Sequence, residues 1–284
     1  MTDIQSNSTG SGTSLTFNIL KRKAFDSLKR FESKSKPFIE SHRGCNKEED
    51  ENTLAAFQKA IEHGCDSIEF DVWITKDKIP IVIHGTKDGN IRETTNGDGK
   101  IESFTLEEIL KFSTITNNQK IPTLDEVFKL CKNKIFMNVE IKDKNFTSEC
   151  LEKVIEMINH YEIKDQVALS TFEQHSWEHL KKACDCHSIE SGYLYDNHDN
   201  RSIEIHYDIS KQNATMNVWY GDITSEFVDK AHQNNIAVHC WFCLDDKEDE
   251  ETITHLIRCE VDVICCNNPR HVMDIRDKFF KIES

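Results

Sequence analysis

From Pro37 onward, short apolar segments alternate with longer segments of helical periodicity, and this alternation constrains the fold more than any other feature. Gly64 and the pair Asn234 and Asn235 stand where helices should end. A strand followed by a helix, repeated along the chain, is typical of a parallel sheet, and about eight such units predict a closed (β/α)8 barrel. We therefore predict an α/β chain folded as a single-domain TIM barrel.

The composition changes at Pro37. The first residues are polar and rich in Ser and Gly, and residues 19–31 place apolar side chains at helical spacing among basic ones. We predict a disordered leader and short N-terminal helix over 1–36, the barrel over 37–278 and a tail over 279–284. The short helix either packs under the barrel, the more common arrangement, or contacts an anionic membrane surface.

The overall charge excludes some classes of function. A formal net charge of −15 and a pI near 5.3 argue against nucleic-acid binding, which needs a basic surface to displace counterions from phosphates. The sequence shows neither a signal peptide nor an apolar run of about 18 residues. Its 11 cysteines form no disulfide framework and indicate reduced, mostly buried thiols. We predict a cytoplasmic protein that captures any anionic substrate locally.

Two groups of Cys and His have spacings that suggest zinc ligands. They lie at Cys184–His187 and at His239–Cys243. In a barrel the first group follows a helix on the underside, whereas the second lies on a strand that runs to the mouth. We therefore expect the two groups not to meet.

Charged side chains follow the alternation of two strand segments. Glu69 and Asp71 share one face of "SIEFDV", and Asn138, Glu140 and Lys142 share one face of "FMNVEIK". Ionic residues that point inward near strand ends are typical of the active-site mouth of a barrel. Three carboxylates that converge there predict a bound cation, and ligation by oxygen alone favours Mg²⁺ or Ca²⁺.

Two histidines and an arginine end neighbouring strand segments. His42 and Arg43 follow the first segment, and His84 ends "IPIVIH". One base, one acid and a bidentate guanidinium suit phosphoryl chemistry. Only seven residues separate Asp71 from Ile79, too few for a helical crossover. We predict that they descend outside the barrel, so that "IPIVIH" rises as a parallel strand and brings His84 to the mouth.

These segments, in this order and spacing, resemble the glycerophosphodiester phosphodiesterase family. The resemblance rests on "HRG", "ENTLAAFQKAIEHGCDSIEFDVWITKD", "IVIH" and "NVEIK", and continues through "ALSTF", "HCWFCLDD" and "VDVICCNNP". It covers roughly residues 38–275. It implies a TIM barrel, with a short insertion after His84, that hydrolyses glycerophosphodiesters to an alcohol and glycerol 3-phosphate with a divalent metal, Mg²⁺ or Ca²⁺.

The resemblance also implies a role for individual residues. These are acid and base catalysis by His42 and His84, phosphate binding by Arg43 and Lys142, an aromatic pocket wall at Trp241, and metal ligation by Glu69, Asp71 and Glu140. The chain departs from the family pattern at Gly85 and Asn267, where an Asp is usual. We expect the loss of Asp at Gly85 to affect rate and metal affinity through the surroundings of the site, and the type of reaction to be unchanged.

Three readings of function follow. The first is hydrolysis of a small glycerophosphodiester, and the net negative charge favours a zwitterion such as glycerophosphocholine or glycerophosphoethanolamine. The second is a lysophospholipase D that cleaves the same bond in lipids with one acyl chain. The third is a non-catalytic barrel that binds metal or phosphate. The nucleophile is either water or the neighbouring glycerol hydroxyl of the substrate.

Overall fold

The structure, a computed structural model, describes residues 36–142, 148–195, 214–234 and 236–282. The predicted leader and N-terminal helix lie outside the described residues, apart from Lys36. The possible membrane contact through residues 19–31 lies outside them as well.

Eight parallel strands form a closed barrel, which confirms the predicted fold. They are β1 (Phe38–Ser41), β2 (Ser67–Ile74), β4 (Phe136–Ile141), β5 (Val167–Thr171), β6 (Glu190–Tyr195), β7 (Ala214–Trp219), β8 (Ala237–Trp241) and β9 (Val263–Cys266). The barrel closes because β1 pairs in parallel with both β2 and β9. The strand β3 (Pro80–Val82) is the exception, since it pairs antiparallel to β2.

Helices connect the strands and cover the barrel. The described helices are α1 (Leu54–His63), α2 (Leu106–Ile109), α3 (Leu124–Cys131), α4 (Ser148–His160), α5 (Gln174–His187), α6 (Ser225–Gln233), α7 (Glu250–Arg258) and α8 (Pro269–Ile282). Thr53 and Thr123 accept backbone N–H groups at two helix starts, and Gly64 ends α1 in the left-handed conformation. The last helix runs past position 278, and Phe279 and Phe280 pack against the core, so the packed chain extends beyond the predicted domain boundary.

The predicted path of the segment before His84 is wrong. β3 is the return strand of a hairpin, in which Val82 pairs with Val72 and Pro80 with Ile74. β2 (Ser67–Ile74) continues past Asp71 to Ile74. The antiparallel strand β3 then runs back alongside it toward Asp71. The amide of Ile83 donates to the carbonyl of Asp71 at 3.0 Å, and His84 therefore reaches the mouth from above.

The two faces of the strands differ as the alternation predicts. Outward-facing Ile68, Phe70 and Val139 are fully buried beneath the helices. The interior instead holds a polar network centred on Glu40, whose carboxylate accepts from Ser67 at 2.9 Å and pairs with His239 at 2.8 Å. Such a satisfied network fills the lower barrel and gives the site above it a rigid floor.

Among the described residues, no helix has both the length and the apolar content needed to cross a membrane.

Trp73 ties the hairpin to the site, because its Nε1 donates to the carbonyl of His84 at 2.6 Å. We expect Trp73→Phe to lower kcat and to reduce the free energy of unfolding by about 1 kcal/mol, since a buried acceptor loses its donor. Trp177→Phe, at a second buried tryptophan, is the matched control for loss of an indole. Steady-state kinetics and urea unfolding measure both effects; equal kcat values for the two variants would contradict this role of Trp73.

Candidate active site

The loop after β1 holds His42 and Arg43 in a fixed conformation. The amide of His42 donates to the carbonyl of Cys266 on β9 at 3.0 Å. Arg43 has a φ of 55°, and the following Gly44 has a φ of 77°. A Cβ at Gly44 would lie 2.7 Å from the Cβ of Ala56 on α1, so the "HRG" sequence needs glycine for this close approach. The loop therefore turns sharply and aims both side chains into the mouth.

Glu69, Asp71 and Glu140 meet at the mouth. Asp71 and Glu140 are directly paired residues of β2 and β4, and Glu69 lies two residues below Asp71. One carboxylate oxygen from each lies within 4.8 Å of the others, and all three residues are buried. Burial, followed by the charges of Asp71 and Glu140, raises the pKa of Glu69, and burial raises the pKa of Glu140.

This carboxylate cluster is suited to a divalent cation. Glu69 Oε1 and Asp71 Oδ1 are buried and have no hydrogen-bond partner among the described residues, although both residues use their other oxygen. A cation would satisfy these oxygens and relieve the repulsion that adds to burial in raising the pKa of Glu69. The three oxygen donors match the preference of Mg²⁺ and Ca²⁺.

Two cationic side chains border the cluster. Arg43 Nε lies 3.3 Å from Asp71 Oδ2, and its Nη1 donates to Glu51 at 2.9 Å. Lys142 Nζ lies 3.0 Å from Glu140 and 3.7 Å from Asp71. Burial opposes the charge on Lys142, but the two carboxylates outweigh it and raise the pKa of its ammonium. Both cations are therefore held charged beside the place where a phosphodiester would bind.

An amide orients His42. Asn267 donates its Nδ2 to the carbonyl of Cys243 at 2.8 Å, so its Oδ1 faces the histidine. His42 Nδ1 lies 2.9 Å from that oxygen and must carry the proton of this hydrogen bond. The unprotonated Nε2 then points toward Glu69, 3.9 Å away. Burial, with Arg43 nearby, lowers the pKa of His42 to about 3, so the ring is neutral.

A carboxylate orients His84. Its Nδ1 lies 3.0 Å from Glu93 Oε2, and Glu93 belongs to the 3₁₀ helix Ile91–Glu93 in the insertion. His84 therefore has an acidic partner even though Gly85, and not Asp, follows it. Gly85 itself has a φ of 71°, and a Cβ there would lie 2.9 Å from Ile101. The insertion thus occupies the space beside Gly85 and supplies the carboxylate from another position.

Trp241 lies at the end of β8 and forms an aromatic wall together with Phe172. Their ring centroids are 5.6 Å apart and nearly perpendicular. Lys142 Nζ lies 5.7 Å from the centroid of Phe172, so this wall lies on the same side of the mouth as Lys142. The Nε1 of Trp241 is buried and has no hydrogen-bond partner among the described residues.

The structure thus places all eight predicted residues at the mouth, and it adds others that the sequence did not single out. These are Glu51, Asn52, Glu93, Phe172 and the contact role of Asn267. Glu51 and Asn52 belong to the "ENT" segment, and the side-chain amide of Asn52 donates from Nδ2 to Asp71 Oδ2 and accepts the Asp71 backbone N–H through Oδ1. Because this segment is part of the family resemblance, Glu51 and Asn52 could have been selected as candidate site residues from the sequence. Nothing in the sequence linked Glu93 to His84, because their contact depends on how the insertion folds.

A groove of about 520 Å³ lies between the loop after β1, the insertion and the loop after β8. It reaches the site through Glu51 and Glu93, the partners of Arg43 and His84. Apart from Lys47, its charged lining residues are acidic: Glu48, Glu49, Asp50, Glu51, Glu93 and Asp245.

Comparison with known proteins identifies the family. Residues 42–271 match the model of the glycerophosphoryl diester phosphodiesterase family. A glycerophosphodiester phosphodiesterase from Caldanaerobacter subterraneus is 34% identical over 249 residues, which are 84% of this chain and 98% of that protein. The chain belongs to the glycerophosphoryl diester phosphodiesterase family and is a phosphoric diester hydrolase.

Solved structures show the same fold. A glycerophosphodiester phosphodiesterase from Thermotoga maritima superimposes with a TM-score of 0.69 at 26% identity, covering 84% of this chain and 98% of that one. An Oleispira antarctica phosphodiesterase, solved in complex with the product sn-glycerol-3-phosphate, gives a TM-score of 0.73 at 22% identity and covers 85% and 97% of the two chains.

The repulsion among the carboxylates predicts a pH effect on stability in the metal-free protein. A carboxyl group whose pKa is raised on folding from its ordinary value of 4.5 stabilises the fold at low pH, and this contribution is lost as pH rises through the folded pKa. We expect Glu69→Gln to remove much of this loss of stability with rising pH. At neutral pH the free energy of unfolding of the metal-free variant should exceed that of wild type by on the order of 1 kcal/mol.

Urea unfolding in EDTA at about pH 5 and about pH 8 measures this difference. Glu152→Gln, an exposed position on α4, is the matched control and should follow wild type. A metal-free Glu69→Gln variant that is less stable than wild type at the higher pH would show that the carboxylates do not repel one another.

The Glu93 contact predicts a kinetic effect. We expect Glu93→Gln to lower kcat about 10–100-fold with little change in KM, because the charge that orients and stabilises protonated His84 is lost. Glu107→Gln, at an exposed position in the same insertion, should leave both constants unchanged. Equal kcat values for wild type and Glu93→Gln would show that the contact of Glu93 with His84 does not contribute to turnover.

Proposed function

We propose that the protein hydrolyses small glycerophosphodiesters to an alcohol and glycerol 3-phosphate with a divalent metal, Mg²⁺ or Ca²⁺, held by Glu69, Asp71 and Glu140. The observation that carries the proposal is the buried carboxylate cluster flanked by Arg43 and Lys142. When bound, the metal supplies positive charge to the phosphodiester oxygens. Arg43 and Lys142 add donors on either side and hold the phosphate near both histidines.

The partners of the two histidines support different roles. Neutral His42, whose Nδ1–H is held by an amide, presents a bare Nε2 that accepts a proton from the nucleophile. His84 pairs through Nδ1 with the carboxylate of Glu93, which leaves Nε2 to deliver a proton to the leaving oxygen. We therefore propose His42 as the general base and His84 as the general acid. The roles are the same whether the nucleophile is water or the substrate's own hydroxyl.

The acidic groove favours a cationic alcohol as the leaving group. Its six acidic residues and single lysine would attract the ammonium group of choline or ethanolamine and repel a phosphorylated head group. The lining offers few apolar side chains for an acyl chain, mainly Ile115 and Leu244. The groove therefore supports glycerophosphocholine or glycerophosphoethanolamine over the lysophospholipid substrates of a lysophospholipase D.

The intact proton-transfer groups argue against a non-catalytic barrel. His42 and His84 each have an orienting partner, although Gly85 and Asn267 replace the usual Asp. A barrel that only binds metal or phosphate would not require two histidines oriented in this way.

A leaving-group comparison tests the roles of the histidines. With a 4-nitrophenyl diester of glycerol phosphate, protonation of the leaving oxygen matters little, so His84→Ala should retain much more activity than it does toward glycerophosphocholine. His42→Ala should lose activity toward both substrates, on the order of 10²–10⁴-fold. If the loss of activity toward the two substrates had the same ratio in His84→Ala as in His42→Ala, the assignment of acid and base would be contradicted. Full activity of either variant would contradict the site itself.

Substrate preference tests the groove. We expect kcat/KM for glycerophosphocholine to exceed that for glycerophosphoinositol phosphate, with a difference that narrows at high ionic strength as the carboxylates are screened. Enzyme-coupled assays of glycerol 3-phosphate, with and without EDTA, measure both substrates and the dependence on metal. Release of choline measures cleavage of lysophosphatidylcholine, whose other product is a lysophosphatidate, and a preference for this lipid would favour the lysophospholipase D reading. Activity unaffected by metal removal would contradict the carboxylate site.

A further inference from the structure

A second group of metal-binding side chains lies outside the active site. Cys45, Glu48 and His63 each offer one ligand atom, and these atoms lie within 4.8 Å of one another. Cys45 is free and buried, whereas Glu48 is exposed and His63 is partly exposed, and these two side chains pair at 2.7 Å.

Two backbone turns bring these side chains together. After β1, the amide of Glu48 donates to the carbonyl of Cys45 at 3.0 Å, which places both residues on one side of a single turn. At the end of α1, left-handed Gly64 reverses the chain between His63 and Cys65, and the amide of Cys65 donates to Ala60. The first turn therefore presents Cys45 and Glu48, and the end of α1 presents His63.

We infer that Cys45, Glu48 and His63 form a zinc site that fastens the loop carrying His42 and Arg43 to the end of α1. One thiolate, one imidazole and one carboxylate are ligands that Zn²⁺ accepts, and a water molecule completes the four-coordinate site. Zn–S and Zn–N bonds of about 2.3 and 2.0 Å place tetrahedral donors about 3.5 Å apart, so small side-chain movements suffice.

A similar set inside the barrel lacks this capacity. Glu40, His239 and Cys265 also approach one another, but the Glu40 carboxylate already accepts from Ser67, Asn138 and His239. In the outer cluster the Cys45 thiol accepts from Ser41 at 3.7 Å and Glu48 pairs with His63, and the exposed Glu48 and partly exposed His63 give an ion direct access from water.

Cobalt spectroscopy tests the zinc site separately from the catalytic one. Chelator-treated, reduced protein is titrated with Co²⁺ in excess Mg²⁺, which occupies the carboxylates at the mouth. We expect one equivalent of Co²⁺ to give the near-ultraviolet thiolate-to-cobalt charge-transfer band and the strong visible bands of tetrahedral Co²⁺, both removed by added Zn²⁺. Glu69→Gln should keep these bands, because Glu69 belongs to the carboxylate cluster at the mouth, where only oxygen atoms would bind the metal.

Variants assign the ligands. Cys45→Ser should abolish the charge-transfer band or weaken it strongly, and His63→Gln should weaken Co²⁺ binding by at least about 10–100-fold. Cys186→Ser, at an exposed cysteine on α5, is the matched control and should bind as wild type does. Since Cys45 is buried and its variant can unfold, the partly exposed His63→Gln decides the result in that case. Absence of the band in wild type, or a band unchanged in His63→Gln, would overturn the proposal.

Discussion

The structure depends on the balance of charge at one end of the barrel. Glu69, Asp71 and Glu140 are buried within a few ångströms of one another, where water cannot screen their repulsion. Arg43 pairs with Asp71 and Lys142 pairs with Glu140, so both offset part of this charge, but two of the buried carboxylate oxygens have no hydrogen-bond partner among the described residues. A cation would complete the balance, and the same positive charges would then be available to an anionic phosphodiester.

The elements around the mouth serve to hold these charges in place. The sharp turn at Arg43 and Gly44 rests on α1, and the overlong β2 allows β3 to return His84 to the level of Asp71. The insertion then contributes Glu93 as the partner of His84. Glu93 also lines the acidic groove, so the position of the insertion affects both the surroundings of His84 and the shape of the groove.

Much of this arrangement could be predicted from the sequence. The period-two alternation in "SIEFDV" and "FMNVEIK" put Glu69, Asp71 and Glu140 on one face, because side chains of a strand alternate regardless of the rest of the fold. The parallel barrel followed from the order of elements. The hairpin could not be predicted, because its geometry depends on how far β2 extends beyond the mouth. The alternation of side chains along a strand is the same whether or not the strand extends past its neighbours.

Long-range contacts were also beyond sequence reasoning. Glu93 lies nine positions after His84, and Asn267 lies 225 residues from His42, yet each contacts a histidine ring at the mouth. The departures at Gly85 and Asn267 indicated that the histidines lose acidic partners, and only the folded insertion and the end of β9 show that Glu93 and the amide of Asn267 contact the two rings. The approach of His63 to Cys45 likewise depends on where α1 ends, at Gly64.

A crystal structure with Mn²⁺, an anomalous scatterer that replaces Mg²⁺ or Ca²⁺, would test the central claim most directly. The account predicts an anomalous peak within about 2.1–2.5 Å of oxygens from Glu69, Asp71 and Glu140, with Arg43 and Lys142 beside it. A mouth without that peak at saturating Mn²⁺, with Arg43 or Lys142 occupying the space between the three carboxylates, would contradict it.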